Sequence, residues 1–535
     1  MTDAPAPESR LVLLGTGGAD ADERRVGAKA ANLMRLIDAG IPVPPGFVLT
    51  TDVCAQYRRT DGSLGPGVGE LVAAGVAAIE RESGRSFGAA RRPLLLAVRS
   101  GAPVSMPGML DTVLDVGLCD ASAAALVRAT GDPAFVWDSY RRFVMSYAET
   151  VGGCPAAAMG DAVAAALERD QVPDTSELDV SAHRALVRRL QELYRAQTGG
   201  PFPQSPRAQL TAAVEAVLRS WDSARAVEYR RLAGLTGLPG TAVTVQAMVY
   251  GNLGARSGAG VAFTRDPSTG ENRLYADFLL EAQGEDVVAG RHAAADSERM
   301  IAAVPGLRSE LERVRATLEA VFRDIQDFEF TVEEGTLWVL QTRAAKRTPL
   351  AALQIACDLV AEGLIDTTTA LERLRGLDLD RISRTRLDDP RAQPIAHATG
   401  AGGGIATGRV ALDAAEATRL ASHGDDVILV RAHASTDDVA ALAVCRAVLA
   451  ATGARTSHAA VVARQLGIAC LVNCPSLTID LAARSLRIGG RALGEHDVIT
   501  VDGGTGAIYL GALPLADDRP DELIATVRAW RSAAA

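Results

Sequence analysis

Asp327 to Arg343 reads DFEFTVEEGTLWVLQTR, two runs of alternating polar and apolar residues that meet at Glu334-Gly335-Thr336. Such alternation predicts two strands joined as a β-hairpin. A three-residue loop would place Glu333 opposite Leu337, which pairs Glu329 with Gln341 and Asp327 with Arg343. Because alternate residues of a strand share a face, Asp327, Glu329, Gln341 and Arg343 are expected together, with Phe328, Phe330, Val332, Trp338 and Leu340 buried on the other side. Carboxylates spaced this way can hold Mg²⁺ that bridges nucleotide phosphates, and Arg343 can neutralise the group being transferred. A half-exposed hairpin with its polar side in water is the commoner meaning of the same pattern. The rest of the chain has to decide between the two.

A second stretch, TGARTSHAAVVARQLG from Thr452 to Gly467, has His458 at its centre. The apolar run Ala447 to Ala451 predicts a buried strand, Gly453 breaks it, and Thr456 or Ser457 can cap a helix that runs to Leu466 and ends at Gly467. His458 then falls in the first helical turn, where free backbone N–H groups and the positive end of the dipole favour a phosphate on its imidazole. Read alone, a histidine between small residues is more often an ordinary turn histidine.

Towards the N-terminus, VGAKAANLMRLIDAG predicts a helix with Lys29 in its first turn and an apolar stripe of Val26, Ala30, Leu33, Leu36 and Ile37. The chain has only two lysines, Lys29 and Lys346, against an otherwise arginine-based cation set. A compact ammonium suits a single phosphate oxygen. Leu94 to Val98 predicts a strand leading into RSGAPVSMPGMLDTVLDVG, where Gly101, Pro103, Pro107 and Gly108 interrupt regular structure and free backbone N–H groups beside Arg99. No GK[ST] follows, so this is not a P-loop. Leu178 to Leu232 is helical in pattern, whereas TAVTVQAMVYGN and GVAFTRDPSTG predict strands bracketing a glycine-rich turn, Gly251 to Gly260, able to cover a nucleotide as a lid.

These blocks resemble the pyruvate, phosphate dikinase family. TSHAAVVAR resembles its phosphohistidine segment, with His458 at the residue that the family phosphorylates. Ser457 is the dikinase choice, while Arg455 is closer to the related phosphoenolpyruvate synthases. VGAKAANL with GIPVPPGF, the Arg99 to Gly117 block, EAQGEDVVAG and the Asp327 to Arg343 hairpin resemble the family's nucleotide domain. The resemblance implies an ATP-grasp nucleotide-binding domain with helical insertions, followed by a swivelling α/β phosphohistidine domain, within an overall α/β and α+β multidomain class. It implies ATP-phosphate contacts for Lys29, Arg99, Gly101, Arg142 and Arg343, a cleft position for Glu281, and metal and nucleotide roles for Asp327, Glu329 and Gln341. Gln246 and Met248 are the candidates for the adenine edge.

Composition bounds the partners. With 535 residues and about 150 per domain, three or four folding units are expected. A formal net charge of −10 argues against nucleic acid and leaves no polybasic membrane patch. No apolar run approaches the ~18 residues of a membrane span, and MTDAPAPESR has no signal-peptide pattern, so a cytoplasmic protein is expected. The seven cysteines lack zinc spacing, and reduced thiols are expected.

The expected organisation is a nucleotide-binding region at 1–348 with a helical part at roughly 120–235, connecting helices and a linker at 349–402, a phosphohistidine carrier at 403–512 and a tail at 513–535. The linker itself is placed at about 384 to 402, where Asp, Pro, Ala and Gly dominate. With about twenty residues after VDGGTGAIYLGALPL, the family's C-terminal (β/α)₈ barrel, which needs about 250 residues, is not expected within this sequence. The expected activity is autophosphorylation of His458 from Mg²⁺-ATP, giving AMP and, with inorganic phosphate, pyrophosphate. The phosphoryl group then passes to a small-molecule or protein-bound acceptor. The alternatives are a half-enzyme paired with a separate barrel-bearing subunit and a nucleotide sensor without turnover.

Overall fold

A computed structural model of the chain describes residues 10–15, 22–60, 62–104, 106, 109–289, 297–389, 391–433, 438–453, 455 and 458–534. The chain folds as two compact units: Met1–Leu253 with Trp338–Gln341, and Gly254–Leu337 with Thr342–Ala535.

The first unit is built on an antiparallel five-stranded sheet in the order Leu11–Leu13, Gly46–Leu49, Ala242–Ala247, Leu96–Gly101, Thr112–Val116. Its strands are short apolar runs; Phe47, Val48, Leu49, Val243 and Val245 are fully buried. The helix Val68–Ser83 lies against Gly46–Leu49 because Gly75 leaves room for an aromatic ring: a Cβ there would sit 2.5 Å from Phe47. Helices Asp120–Thr130, Pro133–Thr150, Ala156–Asp170, Val180–Thr198, Pro206–Ser220 and Ala224–Leu232 follow one another. Their starts are written in the sequence: Asp132 accepts from Phe135 N with Pro133 at the first helical position, and Asp179, Ser205 and Ser223 cap in the same way. Tyr140, Phe143, Tyr147, Tyr194 and Phe202 meet edge to face between these helices.

The second unit begins with a four-stranded sheet in the order Thr336–Ala344, Gln326–Glu333, Gly258–Phe263, Tyr275–Leu280. The two strands expected on either side of the glycine-rich turn belong to different sheets: Ala242–Ala247 pairs with Gly46–Leu49 and Leu96–Gly101, while Gly258–Phe263 pairs with Gln326–Glu333 and Tyr275–Leu280. Gly258 and Gly260 lie within the second of these strands and serve packing. A Cβ at Gly258 would meet Phe278 Cζ at 2.3 Å, and one at Gly260 would meet Phe330 Cζ at 2.3 Å. Those two rings stack with centroids 5.7 Å apart.

The hairpin turn is also shorter than expected. It is made by Glu334 and Gly335 alone, at φ 48° and 86°, the two positive values of a type I′ connection. A one-residue change of loop length shifts the phase of the second strand. Phe328, Phe330 and Val332 are buried as anticipated, but on the second strand Leu337 and Val339 take the interior and Trp338 and Leu340 are only half-buried.

Beyond the hairpin, helices Pro349–Ala361 and Thr367–Arg373 pack against the final helix Asp521–Ala534 through Leu353, Leu359, Ala370, Ile524 and Val527. The stretch expected as a linker carries three strands: Arg384–Leu387 pairs with Leu515–Asp518, Ala396–His397 with Ala507–Leu510, and Thr399–Gly402 with Ala469–Val472. The last two join an eight-stranded sheet whose centre, Ile405–Ala411, Val427–His433, Ala447–Thr452 and Ala469–Val472, is parallel. Apolar clusters cover both faces, as a parallel sheet requires. A helix spans His458–Leu466. The proposed cap residues Thr456 and Ser457, with Pro107 and Gly108 of the earlier loop, lie outside the described residues.

All seven cysteines are free thiols, six of them buried and Cys357 half-buried. Among the described residues, no helix is long and apolar enough to cross a membrane.

Candidate functional site

In the first unit, Lys29 stands at the second position of the helix Ala28–Asp38. That helix start is docked on the end of strand Leu96–Gly101: Ala28 N donates to Ala102 O at 3.0 Å, and a Cβ at Gly27 would lie 2.1 Å from Gly101 O. Gly27 also has φ 80°, so only glycine meets both demands. Gly101 N donates to Thr241 Oγ1 at 3.1 Å. Arg99, two residues inward on the same strand, donates Nη1 to Leu340 O at 3.2 Å. The sequence thus brings a lysine, an arginine and a glycine-bearing strand end into one region.

Arg142 is a half-buried residue of the helix Pro133–Thr150 whose Nε donates to Asp138 Oδ2 at 2.8 Å. Burial opposes ionisation of Asp138, but Arg141 and Arg142 hold its carboxyl below the usual range. Gln246 is buried and donates Nε2 to Pro44 O at 2.9 Å, and buried Met248 donates its N to Leu95 O at 2.9 Å. Both therefore have structural work in the sheet. Gln341, in this unit too, is 8% exposed.

In the second unit, Arg343 Nε donates to Asp327 Oδ2 at 2.8 Å. Asp327 and Glu329 alternate on the strand Gln326–Glu333, so both carboxylates project from one side. Burial pushes the Asp327 carboxyl above the usual range, Arg343 pulls it back, and Glu329 adds to the rise. Burial works against the Arg343 cation as well, yet Asp327 and Glu329 hold the guanidinium above its ordinary value. Two carboxylates that share an ion with nucleotide phosphates are a common way to hold magnesium, and Asp327 and Glu329 are the residues of that chemistry here. Among the described residues, no group of three or more His, Cys, Asp or Glu side chains could hold a metal.

Glu281 ends the strand Tyr275–Leu280 at φ 52°, is exposed, and donates its N to Ser257 O at 2.9 Å. His458 opens the helix His458–Leu466, the position expected for it; its ring is outside the described residues. The sequence reading missed the residues around this helix. Arg455 Nε lies 3.8 Å from Asp277 Oδ1, and the guanidinium carbon sits 5.0 Å from the centre of the Tyr275 ring. A lone aspartate inside the apolar run YADFLL was the signal that could have marked this contact.

The second unit thus carries a sheet with an acid pair and a guanidinium, and an α/β sheet with a histidine-led helix, the arrangement of a multidomain α/β protein. Residues 67–304 match the pyruvate phosphate dikinase AMP/ATP-binding domain, and residues 423–506 match the mobile domain of PEP-utilising enzymes. The chain is similar to pyruvate, phosphate dikinase 2 of Zea mays, with 40% identity over 98% of this chain and 61% of the relative. It is likewise 40% identical to the pyruvate, phosphate dikinases of Rhizobium meliloti (strain 1021), over 96% of this chain and 59% of that protein, and of Clostridium symbiosum, over 91% and 56%. The chain belongs to the pyruvate, phosphate dikinase family. It spans between 56% and 61% of the length of these relatives.

Proposed function

We propose that the chain is an ATP-dependent phosphotransferase that phosphorylates itself on His458 and passes the phosphoryl group to an acceptor. Its fold is read as an ATP-grasp nucleotide domain followed by a swivelling phosphohistidine carrier, with the nucleotide region at 1–348 and the carrier at 403–512. The observation that carries the reading is the Asp327–Arg343 pair with Glu329 on the same strand, in a chain related to dikinases over almost all its length.

Lys29, Arg99 and the backbone at Gly101 hold the nucleotide phosphates, with Arg142 and Glu281 adding polar contacts; Gln246 and Met248 border the base. Asp327 and Glu329 would hold Mg²⁺, and Gln341 is a further candidate for the nucleotide. The metal supplies charge neutralisation between phosphate oxygens. His458, neutral at its ring nitrogen, attacks the β-phosphorus of ATP, so that a nitrogen–phosphorus bond forms as the bond to the AMP oxygen breaks. Arg343 spreads the charge that develops on the group in transit. Inorganic phosphate then takes the outer phosphoryl group as pyrophosphate, leaving phosphohistidine at the positive end of its helix. The acceptors named in the relatives, pyruvate and phosphate, are the first to be offered; a small molecule or an acceptor on another subunit, including a separate barrel-bearing one, are the further candidates.

The test is transfer from β-labelled ATP. Label is expected on the wild-type chain and none on His458→Ala, with AMP and pyrophosphate as products when phosphate is present. Equal labelling of both proteins, or bound nucleotide without AMP, would overturn the reading.

A further inference from the structure

Two arginines tie the segment that carries His458 to the four-stranded sheet of the same unit. Arg464, on the helix His458–Leu466, is 1% exposed and donates Nη1 to Ala401 O at 2.7 Å and to Arg455 O at 2.8 Å, with its guanidinium carbon 5.4 Å from the Phe263 ring centre. Arg464 thus fixes the backbone at Arg455, three residues before His458. Arg455 then sends its own side chain to the sheet, meeting the carboxylate of Asp277 and the face of Tyr275. The Asp277 side chain is 4% exposed and that of Arg455 27%. A carboxylate in a strand interior is costly unless a cation meets it, and here a cation comes from the segment that precedes the histidine.

The two arginines differ in kind. Arg464 is enclosed and held by two short hydrogen bonds. Arg455 makes a looser pair, partly open to water, over an aromatic face where a guanidinium stacks well. A contact of that kind can open and re-form without dismantling a core.

We propose that Arg455 is a positioning residue: through Asp277 and Tyr275 it seats the start of the His458 helix on the strand Tyr275–Leu280, and any departure of the histidine-bearing portion must break this contact. The proposal deepens the phosphocarrier reading and rests on it for its purpose. Its physical content, a charge-dependent seat, stands apart from turnover.

Hydrogen–deuterium exchange on the full chain without nucleotide tests the seat. Arg455→Ala is expected to speed exchange about tenfold in Tyr275–Leu280 and at the start of His458–Leu466, the scale of a partly desolvated charge pair, and to leave the five-stranded sheet of the first unit unchanged. Asp277→Asn should do the same, the double variant should exceed neither single one, and Arg455→Lys, which keeps the charge but not the flat stacking group, should restore only part of the protection. Wild-type exchange in Arg455→Ala, or effects that simply add in the double variant, would overturn the proposal. A second readout is single-turnover labelling of His458, expected to slow about tenfold in Arg455→Ala with ATP affinity unchanged. If the wild type itself takes no label while the exchange pattern holds, the phosphocarrier reading falls and the seat remains.

Discussion

The guanidinium of Arg343 donates Nε to Oδ2 of Asp327 at 2.8 Å, joining the two strands of the hairpin at the end away from its turn. The carboxyl is nevertheless held above the ordinary range by burial, with Arg343 as the main opposing influence. An acid whose pKa is raised by folding favours the fold when protonated, so the metal-free protein gains stability from this group as pH falls through its folded pKa, and loses it above. Metal reverses the preference, since only the carboxylate binds. Mn²⁺ binding, followed by electron paramagnetic resonance, should therefore weaken on acidification at a pH above the roughly 3.9 of a free aspartate. Arg343→Ala should move that midpoint to still higher pH. A midpoint at or below the free value in both proteins would show that Asp327 does not hold the ion.

Gly27 sets the place of Lys29. An alanine there would bring a Cβ within 2.1 Å of Gly101 O on a backbone at φ 80°. Gly27→Ala is expected to destabilise the first unit by about 2–4 kcal/mol and to weaken ATP binding at least tenfold, because the helix start must leave the strand end. Calorimetric titration with ATP and thermal melts check both. Lys29→Ala should lose affinity with little change in melting.

Gly260 lies under Phe330, whose neighbours in sequence are Glu329 and Thr331. Gly260→Ala should cost about 1–3 kcal/mol by overpacking, and Phe330→Ala about 3–5 kcal/mol by leaving a cavity. Since both distort the strand that carries the acid pair, divalent-ion affinity should fall in step with stability. Unfolding curves in urea and a metal titration on the same samples test the correlation.

Arg265 is fully buried at the end of the strand Gly258–Phe263, and its guanidinium is shared between Glu319 at 2.8 Å and Glu362 at 2.6 Å. It links the sheet to the helix Leu307–Phe322 and to the end of Pro349–Ala361. Arg265→Ala leaves buried acid without its cation and should destabilise the second unit by about 3–5 kcal/mol, whereas Arg265→Ala with Glu319→Gln should recover part of that loss. Urea unfolding of the two variants gives the answer.

The acid pair, the helix that begins at His458 and the Lys29 helix were legible because each is carried by local periodicity. The hairpin turn was not. Its two-residue form needs Glu334 in a left-handed conformation, a demand that Asn-Gly or Asp-Gly would have signalled and Glu-Gly does not. Gly258 and Gly260 read as turn residues because glycine usually marks one, yet the rings that require their flatness, Phe278 and Phe330, are 20 and 70 residues away in the chain. The strands within 384–402 are equally invisible, since each exists through a partner far along the sequence, such as Leu515–Asp518 for Arg384–Leu387. The Arg455–Asp277 contact joins residues that only the folded second unit brings together.

The burial of the thiols has a practical side. Desolvation pushes Cys470 up to about 12 and Cys445 and Cys357 up to about 11, far from the thiolate form that maleimides attack. A surface cysteine introduced at will should therefore react well ahead of these three, and the burial of Cys54, Cys119, Cys154 and Cys474 keeps reagents from the others, so that fluorescent reporters can be placed on this chain without first stripping it of its own sulfur.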